Sequence, residues 1–106
     1  MRAGDMDRRI VIEKRVITTS PFNEEIITFE PLAEVWAHVL QQGGREFLGA
    51  EAVTAERRVV FRIRWLAGVS ALHRVVYEGR AHNITEVREI GRREGLELHS
   101  TAMDEG

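Results

Sequence analysis

The sequence predicts a mainly β fold, a small antiparallel β-barrel or sandwich of about six strands with one short helix inserted between the third and fourth strands. Three observations lead there. Apolar residues recur at period two through most of the 106-residue chain, strand-like runs are separated by short glycine- or asparagine-bearing breaks, and only one stretch shows helical spacing.

The first strand is Arg8 to Ile17, where Ile10, Ile12 and Val16 share a face. The turn-forming Ser20-Pro21-Phe22-Asn23 leads into a second, about Glu25 to Glu30, and the two make a hairpin. A third segment runs from Ala33 to Leu40, with Val35, Ala37 and Val39 alternating with Trp36, His38 and Leu40. Gly43-Gly44 breaks that run, because glycine accepts backbone angles other residues avoid, and the helix is expected from about Arg45 to Thr54. The next strand, about Glu56 to Leu66, has the clearest alternation: Val59, Phe61, Ile63 and Trp65 point one way, Arg58, Arg62 and Arg64 the other. After Ala67-Gly68-Val69-Ser70, Arg74 to Tyr77 and Arg80 to Val87 flank the two-residue turn Glu78-Gly79. A further turn, Gly91 to Gly95, returns the chain into Leu96 to Ser100.

Length and composition set limits on function. The chain fits a single domain, 1–106, with residues 1–7 and 101–106 expected as flexible tails because they carry little apolar content. Fifteen basic and seventeen acidic residues give a formal charge of −2, which does not attract DNA or anionic membrane in bulk. No cysteine is present, so disulfides and thiolate zinc sites are excluded. No apolar run approaches the roughly 20 residues of a membrane helix, and the expectation is a soluble chain without a membrane partner.

No catalytic or cofactor motif emerges. Gly43-Gly44 is not followed by the Lys-Ser/Thr of a phosphate loop. His38, His73, His82 and His99 fall on different elements without metal-ligand spacing. Glu24 and Glu25 are adjacent and diverge on an extended chain, so they cannot flank one bond together. The expectation is therefore no enzyme, no metal and no cofactor. Trp36 is expected in the core, with an anchor at a subunit interface as the alternative. The basic face of Arg58, Arg62 and Arg64 fits a solvated surface, ion pairs to acidic residues of a neighbour, or DNA phosphate contact, the last disfavoured by net charge.

The order and spacing of several pieces resemble the head-tail joining family of tailed phages, the head-closure or stopper and head-tail adaptor proteins. They are A-G-D-M-D-R-R-I-V-I at Ala3 to Ile12, A-E-V-W-A at Ala33 to Ala37, G-R-E-F at Gly44 to Phe47 and F-R-I-R at Phe61 to Arg64. R-V-V-Y-E-G-R at Arg74 to Arg80, I-T-E-V at Ile84 to Val87 and G-R-R-E-G-L-E-L at Gly91 to Leu98 complete the set, which covers nearly the whole chain. Asn23 departs from the glycine, and His82 from the aromatic, common in such proteins.

The resemblance implies a structural virion protein of a phage, prophage or gene-transfer particle, resident in host cytoplasm during assembly. It implies a homo-oligomeric ring of roughly 6 or 12 copies that docks below the portal or adaptor ring, helps retain packaged DNA and offers the tail, or a tail terminator, its platform. Contact with DNA in the channel would be weak and non-specific. Gln41, Gly44, Arg45, Glu46 and Phe47, with Arg58, Arg62 and Arg64, are the candidate ring and docking residues. The alternative is a small β-barrel nucleic-acid-binding module, which calls for aromatics on an exposed basic face.

Overall fold

The computed structural model describes residue 4 and residues 6–42 and 56–103. Six strands occupy them: β1 (Arg8–Thr19), β2 (Glu25–Gln42), β3 (Glu56–Arg64), β4 (Arg74–Tyr77), β5 (Arg80–Ile90) and β6 (Gly95–Met103). All pair antiparallel in the order β1-β2-β3-β6-β5-β4, and β4 pairs back to β1, so the sheet closes. Closure removes the edges that a small open sheet would leave unpaired. The helix expected over Arg45 to Thr54 lies outside the described residues, and none of those described is α-helical.

The segments expected separately at Glu25 to Glu30 and Ala33 to Leu40 are one strand, β2. Pro31 does not interrupt it because Leu32 forms a bulge: Ala33 pairs with Ile12 and Pro31 with Glu13, so the proline sits where a ladder is already disturbed. A second bulge, at Thr85, shifts the inward positions of β5 by one, from His82 and Ile84 to Val87, and the Thr85 hydroxyl donates to the His99 carbonyl at 3.1 Å. β6 runs past Ser100, so Thr101–Met103, expected in a loose tail, pair with β3, and Ala102 is buried.

The core gathers on Phe61, which is fully buried with Ile10, Ile12, Ile63, Val75 and Leu98 around it. Tyr77 and His82 pack against the Phe61 ring in T-shaped arrangements, at centroid distances of 5.5 and 5.4 Å. Ser100, the other buried polar residue among those described, donates from Oγ to the Val59 carbonyl at 2.7 Å. Glu78 and Gly79 both have positive φ, 52° and 77°, as a two-residue hairpin turn of this twist requires.

His82 has an acid-sensitive consequence. Burial lowers its pKa from the ordinary 6.5, outweighing the carbonyl of Arg80 that its Nδ1 faces at 3.1 Å. The unfolded chain therefore takes up a proton near pH 6.5 that the folded chain accepts only at lower pH. His82 stability is fully present above that range and is lost as pH falls through it. Chemical denaturation should show a midpoint that drops as pH falls below about 6.5. His82→Phe should flatten that drop; an equally steep profile in the variant would remove His82 as its cause.

Candidate docking surfaces

The topology divides the molecule into two ends and an outer wall. At one end lie the start of β1, the Glu78-Gly79 turn, the end of β6, and the end of β2 and start of β3 between which residues 43–55 run. At the other lie the 65–73 loop, the 91–94 turn and a projecting ribbon. The ribbon exists because β1 pairs with β4 only from Val11 to Glu13, and β2 with β3 only from Ala37 onward. Beyond those limits, Lys14–Thr19 and Glu25–Glu30 pair only with each other among the described residues.

Ordered contacts hold both ends of the ribbon. At its base the Arg74 guanidinium lies 3.9 Å from the Phe29 ring centroid while its Nε donates to Glu13 at 2.7 Å. At its tip the Ser20 hydroxyl accepts from the backbone of Phe22 and Glu24 at 3.2 and 3.1 Å, and Asn23 takes the left-handed φ of 64°. Asparagine tolerates that angle, so the departure from glycine is accommodated. The tip holds Phe22 outward, 83% exposed, and Ile17, Ile26 and Ile27 along the ribbon are also exposed. With Leu72 on the neighbouring loop, most of the large exposed apolar side chains gather at this end.

The outer wall carries the predicted basic face. Arg58, Arg62 and Arg64 stand opposite the buried Val59, Phe61 and Ile63, as the alternation requires. Arg62 is committed within its own chain: its Nη2 donates to Glu97 at 2.7 Å, and Glu97 also meets His99 Nε2 at 3.3 Å. Arg62, then His99, hold the Glu97 carboxyl below its usual range. Next along the same row Arg88 pairs with Glu86 at 2.7 Å. The wall is a ladder of alternating charge, so the ion pair placed hypothetically with a neighbour is, for Arg62, internal.

Trp36 is not in the core. It is 51% exposed on the outside of β2, with the Arg9 guanidinium 4.9 Å from its ring centroid and Arg9 paired to Glu34 at 2.7 Å. Alternation decides this: Val35 and Ala37 face inward, so the residue between them faces out whatever its size. Beside it, where β2 and β3 part company, is a cleft of about 550 Å³ lined by Gly4, Met6, Asp7, Trp36 and Arg64. Met6 is buried against the barrel despite its place in an expected loose tail.

Of the residues singled out from sequence, Arg58, Arg62 and Arg64 share one strand face, and Gln41 lies on β2 with its backbone opposite Val59. Gly44, Arg45, Glu46 and Phe47 lie outside the described residues. Sequence reasoning missed the ribbon tip. The available signal was Ile26-Ile27, two adjacent isoleucines that no one-sided strand can bury together.

The profile of the phage head completion protein family matches residues 1–103. The chain belongs to that family. Membership makes it a structural component of the virion rather than an enzyme, associated with other proteins of the particle. Among curated proteins no match is found. Two solved structures share the fold of this head completion protein. The solution structure of protein SF1141 from Shigella flexneri 2a has a TM-score of 0.75 and 24% identity, with both chains covered completely. A chain in the virion of a native gene transfer agent particle has a TM-score of 0.72 and 20% identity, with 94% of this chain and 96% of that one covered.

Proposed function

We propose that this head completion protein is a ring-forming connector subunit that docks below the portal or its adaptor, helps retain packaged DNA and presents the platform for the tail. Family membership over nearly the whole chain carries the reading. The geometry supports it: a closed barrel with an apolar-tipped ribbon projecting from one end has a means of contact distinct from its charged outer wall. In this reading Gln41, Gly44, Arg45, Glu46 and Phe47, with Arg58, Arg62 and Arg64, form the docking or DNA-retaining surface. The ladder beside Arg62 keeps the grip on DNA weak. A lone nucleic-acid-binding barrel is less well supported, because Phe61 is buried and Val60 is the residue between Arg58 and Arg62 that shares their side of β3.

The test is a particle preparation lacking this chain. Filled heads should lose DNA on storage and carry no tails, and added purified chain should restore both. Tailed, DNA-retaining particles in its absence would refute the proposal. A salt titration of the purified chain against single-stranded DNA separates the alternative, which requires micromolar binding with a steep salt slope.

A further inference from the structure

We propose that the ribbon of one copy docks on the outer wall of a second copy, with Phe22 seated in the cleft between Met6, Trp36 and Arg64. The inference rests on the ring reading above and supplies its contact between subunits.

Four observations carry it. Phe22 is displayed rather than stray, since Ser20 accepts two backbone hydrogen bonds and fixes the tip that holds it out. The cleft has the size of a small-ligand site, about 550 Å³, and offers an aromatic and a thioether wall to a phenyl ring. Charge matches as well: Glu24 and Glu25 follow Phe22 two and three residues on, while Arg64 lines the cleft. The other charged groups nearby already have partners, Asp7 with Arg8 at 3.9 Å and Arg9 with Glu34.

Reach then determines whose cleft is filled. Trp36 pairs with Arg9 and the ribbon ends where Thr19 pairs with Glu25. Ten residues of strand at roughly 3.4 Å each put the tip about 34 Å from its own cleft. The occupant therefore comes from another molecule, and every copy carries both halves of the contact. Tip and cleft are different patches, so the contact is head-to-tail and generates a ring when its rotation closes.

Sedimentation of the purified full-length chain over a concentration series tests this. The native chain should self-associate, and Phe22→Ala and Trp36→Ala should each weaken association by about tenfold or more with little change in melting temperature. Mixed in equal amounts, the two variants should form a one-to-one pair and nothing larger, because only the Trp36→Ala chain has an intact tip and only the Phe22→Ala chain an intact cleft. Arg64→Glu should weaken association, and combining it with Glu24→Lys and Glu25→Lys should recover it. Unchanged association of both alanine variants, a mixture that does not pair, or a native chain that stays monomeric would overturn the contact. Particles that still need the chain for tails would then leave the connector reading standing.

Discussion

Phe61→Ala is expected to cost about 3–5 kcal/mol, the largest effect of any single truncation in this barrel. Phe61 is fully buried, opposite Val39 on one neighbouring strand and Leu98 on the other, and its ring makes T-shaped contacts with Tyr77 and His82. Six strands converge on it, so no single side chain can swing in to refill the space. Thermal denaturation of the isolated subunit should show a midpoint lowered by more than about 10 °C. Arg64→Ala, one face over on the same strand, should change stability by no more than about 0.5 kcal/mol. Equal effects from the two would mean that the inward and outward faces of β3 are misassigned.

Removal of Met1 to Asp7 is expected to leave the barrel folded and to cut assembly into tailed particles by about tenfold or more. Every strand pairing begins at or after Arg8, so the closed sheet does not need the segment. Among the described residues of the segment Met6 is the buried one, and its burial contributes about 1.5–3 kcal/mol. The same deletion strips one wall from the cleft beside Trp36, where the neighbour's Phe22 is proposed to sit. The melting temperature of the truncated protein checks the first half of the expectation, and complementation scored by counting tailed particles checks the second. Wild-type particle numbers from the truncated chain would show that these residues serve neither docking nor assembly.

Much of the fold was legible because it depends on local signals. In β3 the alternation of Val59, Phe61 and Ile63 with Arg58, Arg62 and Arg64 states strand, faces and burial at once, since successive side chains of a strand point to opposite sides. Glu78-Gly79 was readable for the same kind of reason: a two-residue hairpin turn of the required hand needs positive φ at both positions. Other features were not legible. Glu25 to Glu30 and Ala33 to Leu40 read as separate strands, and only the partner strand reveals that the chain bulges at Leu32 and continues. Trp36 read as core because large aromatics usually are, although its neighbours' alternation pointed outward.

From the sequence alone came an antiparallel β chain of about six strands, its inward face and its resemblance to a head-tail joining family, because periodicity, turn chemistry and the order of short pieces are written along the chain. Only the tertiary structure decided that β4 closes the sheet onto β1, that Arg62 is neutralised by Glu97, and that β1 and β2 outrun their neighbours to form a ribbon with Phe22 at its tip. Those are facts of register between strands distant in sequence. Which residue faces which across a ladder is set by how the whole barrel packs, not by any one strand's pattern.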